Sequence, residues 1–197
     1  IEAVIESGRR GAMIREGARV VLTGLRNAGK SSLFNRLVGE DRAIVSDCPG
    51  TTRDVISEVV SITGVPVTLL DTAGLGRSGD PVESAGMGRA MSAVESAELV
   101  LVVVDGRRSV GLEEAVAELG LKGSARQVLV RTRLDLGFDG EPGGDRSSGL
   151  WTSAVTGEGI RELQEAIGRA LVGDEGAGEL PAVSSRRQLA LLERVLG

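Results

Sequence analysis

One short segment of the sequence combines glycines, a lysine and a serine at a spacing that suits phosphate binding. Residues 24–31 read GLRNAGKS, the G-x-x-x-x-G-K-[ST] pattern of a phosphate-binding loop. Its backbone N–H groups would surround the phosphates, while Lys30 reaches the β- and γ-phosphates and Ser31 offers a hydroxyl to Mg²⁺. The segment therefore predicts a nucleoside triphosphate site, with Lys30 as a catalytic residue. The expected nucleotide contacts in this loop are Asn27, Ala28, Gly29, Lys30, Ser31 and Ser32.

Two downstream segments carry the residue types that a magnesium-dependent phosphate site needs. Thr52, in a Gly-Thr-Thr turn, would complete the Mg²⁺ shell when the γ-phosphate is present. Asp71 ends the apolar run Val67–Leu70, at the strand tip where α/β sheets bind ligands, and would hold Mg²⁺ through water. Gly74 would offer its backbone N–H to the γ-phosphate. Each segment also fits an ordinary turn, and its position after the phosphate loop favours the functional interpretation.

Base selection is expected at Thr132-Arg133-Leu134-Asp135, which follows a β-branched run. The Asp135 carboxylate would accept two hydrogen bonds from N1–H and the exocyclic amine of guanine, a donor pair that adenine lacks. Later in the chain, the backbone of Ser153 and Ala154 would contact the guanine oxygen. The predicted ligand is therefore GTP or GDP.

Short β-branched runs alternate with longer helical stretches, and this order predicts an α/β fold with a mostly parallel sheet. The run Leu99–Val104 shows no alternation, as expected for a central strand covered on both faces. The stretch 136–149 is predicted to be a flexible surface loop. The expected strands are Arg19–Thr23, Val55–Ile62, Val67–Leu70, Leu99–Val104, Gln127–Arg131 and Leu150–Thr152, and the expected helices are Lys30–Val38, Ala85–Ser96, Val110–Leu121 and Ile160–Leu171.

Composition restricts the function classes. With 2% aromatic residues and a net charge of -5, direct RNA binding by this chain is disfavoured. A single cysteine, Cys48, and no histidine rule out an internal disulfide and a Cys/His zinc site, which fits a cytoplasmic setting. The apolar runs are too short for a membrane span.

The two ends of the chain differ from its middle. Apolar faces at both ends predict helices, which either dock on the domain itself or belong to a helical domain into which it is inserted. Because the chain starts with Ile1, we expect a piece of a longer protein. The predicted division is a helical remnant over 1–17, the nucleotide-binding domain over 18–173, and a linker with a second helical remnant over 174–197.

Together these motifs resemble the guanine-nucleotide-binding (G) domain of the MnmE (TrmE) family of tRNA modification GTPases, in the translation-factor-like branch of P-loop GTPases. The resemblance implies a P-loop NTPase fold of the Ras-like type, with six strands, flanking helices, and terminal helices from a helical domain. It covers residues 19 to 172 and rests on residues 27–32, residues 43–54 (AIVSDCPGTTRD), residues 71–75 with Val82-Glu83, and residues 153–160.

The resemblance also implies a mechanism. Leu75 lies where Ras-like enzymes carry a water-orienting glutamine, and Glu83 falls at the family's position for a glutamate that orients water through a bridging water. Without the resemblance, Glu83 reads as a solvated loop carboxylate. In the family, K⁺ binds between phosphates and protein oxygens when two G domains meet. The implied K⁺ ligands are the Asn27 side chain and the backbone around Ser46, Cys48 and Thr51.

Partners follow from the resemblance in the same way: a homodimer through G domains in the GTP state, an MnmG-like flavoprotein, and tRNA as substrate of the complex without direct binding by this domain. The family's folate-binding domain and cysteine motif are missing, so we expect this chain alone not to modify tRNA. Thr132 and Arg133 replace the family's Asn-Lys pair. We expect the loss of an amide that bonds the base and steadies the phosphate loop, with the Arg133 stem along the purine and weaker guanine binding.

Two other readings stay open at this point. An Era/EngA-type ribosome-assembly GTPase has the same style of phosphate loop, although such proteins carry RNA-binding domains with basic surfaces. A nucleotide-sensing interaction module with little turnover is the reading that the altered Thr132-Arg133 pair favours.

Overall fold

A computed structural model describes residues 11, 13, 15–40, 55–72, 90–121, 125–137 and 149–173. In chain order its elements are β1 (Ala18–Thr23), α1 (Lys30–Glu40), β2 (Val55–Ile62), β3 (Val65–Thr72), α2 (residues 90–95), β4 (Leu99–Asp105), α3 (Leu112–Leu119), β5 (Arg126–Thr132), a 3₁₀ turn (Leu134–Leu136), β6 (Leu150–Trp151) and α4 (Ile160–Val172). The described residues between 11 and 16 are helical as well.

The six strands form one sheet in the order β2-β3-β1-β4-β5-β6. Only β2 runs antiparallel to its neighbour, and the other pairings are parallel. The predicted six-stranded, mostly parallel sheet is confirmed. Because the carboxyl ends of parallel strands share one edge of the sheet, the last residues of β1, β3, β4 and β5 lie along that edge.

The core lies on both faces of the sheet, as β1 shows: Val20 and Leu22 belong to one apolar cluster and Val21 to the other. β4 is buried along nearly its whole length, which explains its lack of alternation. On one face, α1 and α4 contribute Leu33, Phe34, Leu37, Ile160, Leu163, Ile167 and Leu171. On the other face, α2 and α3 contribute Ala90, Val94 and Ala115.

Most strand and helix positions agree with the sequence-based expectations, and the boundary differences have local causes. β3 is longer than predicted because Val65 pairs with Ile62 across a tight turn to β2. α3 is shorter at both ends, because Gly111 is extended and Gly120 has φ 63°, the left-handed conformation that ends helices. The predicted helix Ala85–Ser96 is described only over 90–95.

Several sequence-based assignments concern residues that the structure does not describe. Residues 1–10, 138–148 and 174–197, which hold most of both predicted terminal helices and of the predicted loop, lie outside the described residues. The division into three segments therefore stays a prediction. Among the helices that the structure describes, none has the length and hydropathy to cross a membrane.

Candidate nucleotide-binding site

The turn from β1 into α1 has the shape of a phosphate loop, and the sequence enforces it. A Cβ at Gly24 would lie 2.1 Å from the carbonyl oxygen of Val103, so only glycine lets β1 turn this close to β4. Asn27 and Gly29 take the left-handed conformation, with φ of 62° and 86°. The Leu33 N–H then donates to the Gly29 carbonyl at 3.0 Å and begins α1. The loop backbone and the first N–H groups of a helix thus lie together, as anion binding requires.

Lys30 lies over this loop and is buried, with 6% of its surface exposed. Its Nζ donates to the carbonyl oxygens of Leu25 at 2.8 Å and Gly24 at 3.1 Å. Burial lowers the pKa of Lys30, and the nearby Asp71 carboxylate acts in the opposite direction. The ammonium is therefore held at the loop by carbonyl dipoles.

Asp71 lies beside Lys30 at the carboxyl end of β3, where its backbone pairs with Leu22 of β1. Burial raises the pKa of its carboxyl, while the Ser31 hydroxyl and the Lys30 charge act to lower it. Its Oδ1 is buried and has no hydrogen-bond partner among the described residues. A buried carboxylate oxygen without a partner, next to a serine hydroxyl, suits a hard cation that takes oxygen ligands, so Ser31 and Asp71 fit Mg²⁺.

Thr132, at the end of β5, contacts the phosphate loop directly. Thr132 is buried, and its hydroxyl donates to the Ala28 carbonyl at 2.7 Å. Arg133 follows with φ 63° and donates from Nη2 to the Asn27 carbonyl at 2.8 Å. The amide that the family carries here is absent, as expected, and a hydroxyl and a guanidinium bond the loop carbonyls in its place. Weaker guanine binding stays a prediction. An Arg133 stem along the purine stays a prediction.

Asp135 meets the loop after β6, as the base-selection hypothesis requires. The Ser153 hydroxyl donates to Asp135 Oδ1 at 2.5 Å and accepts from the Thr156 N–H at 3.1 Å. The Leu134 N–H also donates to the Thr152 carbonyl at 3.0 Å. Two segments that the sequence analysis assigned separately to the base therefore lie side by side, with the Asp135 carboxylate exposed and oriented by a buried serine.

Asp105, at the end of β4, belongs to this site and was missed by the sequence analysis. Its Oδ2 lies 2.7 Å from Arg107 Nη2 and 2.9 Å from Arg133 Nη1. The hydrogen bond from the Arg107 side chain is the largest of the contacts that lower its pKa to about 2. The signal was available, because Asp105 ends a buried parallel strand, the same rule that identified Asp71.

Other predicted site residues lie outside the described residues: Ser46, Cys48, Thr51, Thr52, Gly74 and Glu83. Their roles in Mg²⁺ binding, K⁺ binding and water orientation stay predictions. Asn27, the predicted side-chain ligand of K⁺, is exposed on the phosphate loop. Ser32 is exposed in the first turn of α1, and Ala154 follows Ser153 in the loop after β6.

The fold and the site together define a P-loop GTPase domain. The model of the 50S ribosome-binding GTPase family matches residues 19–133, and the chain belongs to this family. It is 43% identical over 182 residues, or 92% of its length, to the tRNA modification GTPase MnmE of Koribacter versatilis, and 39% identical over 197 residues to that of Nitrosospira multiformis. It spans 40% and 43% of these two curated relatives, respectively.

Solved structures share the fold. Era of Aquifex aeolicus bound to GDP·AlF₄⁻ matches 82% of this chain and 58% of its own, with a TM-score of 0.58 and 23% identity. The G domain of the FeoB iron transporter of T. maritima matches 78% of this chain and 98% of its own, with a TM-score of 0.55 and 29% identity. The Era likeness shows the fold alone, whereas the relatives named MnmE carry the resemblance in sequence.

Proposed function

We propose that this chain binds GTP and GDP with Mg²⁺ and hydrolyses GTP as the G domain of an MnmE-type tRNA modification GTPase. One observation carries the proposal: Lys30, Ser31 and Asp71 converge at the phosphate loop, and Asp135 lies against Ser153 in the loops after β5 and β6. The positions of these side chains match the two ends of a nucleotide: cationic and magnesium-binding groups lie where the phosphates would bind, and a carboxylate lies where the base would bind.

Phosphate binding follows from the contacts of Lys30. When a phosphate oxygen reaches the loop, the Lys30 ammonium exchanges its bonds to the Gly24 and Leu25 carbonyls for bonds to the anion. The N–H groups at the start of α1 add fixed positive potential. Ser31 and Asp71 would hold Mg²⁺, which neutralises charge on the phosphate oxygens.

Guanine selection follows from Asp135. Its carboxylate would accept two hydrogen bonds from guanine, whereas adenine offers no matching donor pair and would cover the carboxylate without replacing its bonds to water. Ser153 holds the carboxylate in one orientation, which reduces the conformational entropy lost on binding. We expect a clear preference for GDP over ADP.

The proposed hydrolytic step rests on the resemblance to the MnmE family. Glu83 would orient the attacking water through a bridging water, and Gly74 would donate its N–H to the γ-phosphate. Asn27 would contribute a side-chain oxygen to K⁺, with backbone oxygens near Ser46, Cys48 and Thr51. Two G domains meeting in the GTP state would complete this arrangement. The exposed position of Asn27 on the phosphate loop is compatible with this role.

In the cell, the proposed setting is the cytoplasm, in a complex with an MnmG-like flavoprotein that modifies the wobble uridine of tRNA. The identity of 39–43% to relatives named MnmE supports this reading over an Era/EngA-type ribosome-assembly GTPase. A nucleotide-sensing module with little turnover differs in one measurable respect, the rate of GTP hydrolysis.

Steady-state GTP hydrolysis with Mg²⁺ in matched K⁺ and Na⁺ buffers tests the proposal. We expect stimulation by K⁺ that rises with protein concentration and is lost in Glu83→Ala. Glu113→Ala, on the exposed face of α3, is the matched control and should behave like the wild type. Turnover that is independent of the cation, or absent despite GDP binding, would refute the K⁺-dependent dimer mechanism.

A further inference from the structure

Asp105 has no role in the proposed function, yet it contacts the residue that bonds the phosphate loop. It is the last residue of β4 and pairs with Thr132 of β5. The N–H of Gly106 donates to the Thr132 carbonyl at 2.9 Å, and a Cβ at Gly106 would approach that oxygen to 2.5 Å, so this close approach needs glycine. The ends of the two strands are thereby fixed with Asp105 beside Arg133.

A chain of contacts leads from Asp105 to the loop backbone. Asp105 Oδ2 accepts from Arg133 Nη1 at 2.9 Å, and Nη2 of the same guanidinium donates to the Asn27 carbonyl at 2.8 Å. The Asp105 side chain is 14% exposed and that of Arg133 34%. A guanidinium presents its donors in one plane, so an anion on one side fixes what the other side reaches.

The Asn27 backbone benefits from such support. Asn27 has φ 62°, the left-handed conformation, which asparagine adopts more readily than most residues with a side chain but which still costs free energy that surrounding contacts offset. The neighbouring Ala28 carbonyl is already bonded to the Thr132 hydroxyl. Two successive carbonyls of the loop are therefore hydrogen-bonded to residues at the end of β5. Asp105 orients the guanidinium that makes one of these bonds, the bond from Arg133 to the Asn27 carbonyl.

We propose that Asp105 is a positioning residue for nucleotide binding, whose carboxylate holds the Arg133 guanidinium across the Asn27 carbonyl and so fixes the loop that receives the phosphates. This inference rests on the proposed function, because it requires residues 24–31 to bind nucleotide phosphates. Without the carboxylate, the long Arg133 side chain regains its rotamer freedom and leaves the loop.

Asp105 also contacts Arg107, and this suggests a competing explanation. Asp105 Oδ1 accepts from the backbone N–H and from Nε of Arg107, both at 3.0 Å. If Asp105 acted only by shaping the turn after β4, its effect would pass through Arg107 and leave Arg133 uninvolved. The test therefore has to separate the two arginines.

The experiment measures affinity for GDP and ADP by calorimetry on the 197-residue chain, with a double-mutant cycle. Asp105→Asn and Arg133→Gln should each weaken GDP binding by about fivefold, and the double variant should bind no more weakly than either, as coupled neighbours do. Glu118→Gln is the matched control, because it also removes a carboxylate from an ion pair with an arginine, Arg108, on the exposed face of α3. It should bind GDP as the wild type does.

Arg107→Gln separates the two paths and serves if Asp105→Asn proves too unstable to assay. It removes the side-chain bonds from Arg107 to Asp105, keeps the bond from the Arg107 backbone N–H, and leaves the carboxylate bonded to Arg133, so GDP affinity should stay within about twofold of wild type. A fivefold loss in Arg107→Gln, additive effects in the cycle, or wild-type affinity in Asp105→Asn would overturn the inference. Equal binding of GDP and ADP by the wild type would instead refute the proposed function itself.

Discussion

On the phosphate side of the site, formed by the loop after β1 and the end of β3, Lys30 and Ser31 lie where the motif requires, and the backbone conformation sets most of the geometry. On the base side, formed by the ends of β4 and β5, the sequence departs from the family pattern, yet Thr132 and Arg133 bond the carbonyls of Ala28 and Asn27 with different side chains. The contrast teaches that a loop built from backbone N–H groups constrains residue type closely. A carbonyl that needs a donor can accept from either a hydroxyl or a guanidinium.

The two sides also differ in the electrostatics of their carboxylates. Asp71 is buried with one oxygen unpartnered, and burial raises its pKa, whereas Asp105 shares two arginines and has a pKa lowered to about 2. In the nucleotide-free protein, Asp71 thus costs stability when ionised and Asp105 contributes stability. This difference is expected if Asp71 binds a cation together with the nucleotide, whereas Asp105 already has the two arginines as counter-charges.

The largest effect is expected on the phosphate side, from Lys30→Ala. GDP affinity should fall about 100-fold, because removing one partner of a buried, hydrogen-bonded charge costs ~2–5 kcal/mol. Isothermal calorimetry measures the loss, and Arg161→Ala, which removes a cation from the exposed face of α4, is the control. A loss below about threefold would show that the loop does not bind phosphates through Lys30.

A smaller effect is expected on the base side, from Thr132→Val. Deleting the buried hydroxyl leaves the Ala28 carbonyl without this donor, so GDP affinity should fall about tenfold, corresponding to ~1–2 kcal/mol. The same calorimetric titration measures it. Thr68→Val makes the same chemical change in the middle of β3 and should leave affinity unchanged. If both variants bind alike, the support from β5 is dispensable.

The smallest effects concern pH and have opposite signs on the two sides. The folded pKa of Asp105 lies below its ordinary value of 3.8, so its contribution to stability is present above that value and is lost as pH falls towards about 2. The pKa of Asp71 is raised above its ordinary value of 3.8, so the unfolded chain loses this proton at a lower pH than the folded protein does. The ionisation of Asp71 therefore destabilises the nucleotide-free protein as pH rises from 3.8 through the raised pKa.

Urea unfolding of the nucleotide-free chain measures this difference. At neutral pH, Asp105→Asn should lower the free energy of unfolding and Asp71→Asn should raise it. Both differences should shrink as the buffer becomes acidic. If both variants changed the free energy of unfolding in the same direction at neutral pH, the contrast between a carboxylate with counter-charges and one without would be contradicted.

Much of this site was predictable because it depends on local sequence patterns. The buried run Leu99–Val104 predicted a central strand, and the phosphate motif predicted the turn after β1. The contacts of Thr132 and Arg133 with the loop were not predictable, because they join residues 104 and 106 positions apart in the chain. Asp105 was recoverable from its place at a strand end, but its two arginine partners depend on side-chain packing.

The most direct test of the central claim, guanine recognition by Asp135, is to bind GDP and xanthosine diphosphate to the wild type and to Asp135→Asn. An amide presents a donor where the carboxylate presented an acceptor, and xanthine carries an oxygen where guanine carries its amine. We predict that the wild type prefers GDP and that the variant prefers xanthosine diphosphate by about tenfold or more. A variant that still prefers GDP would contradict the account.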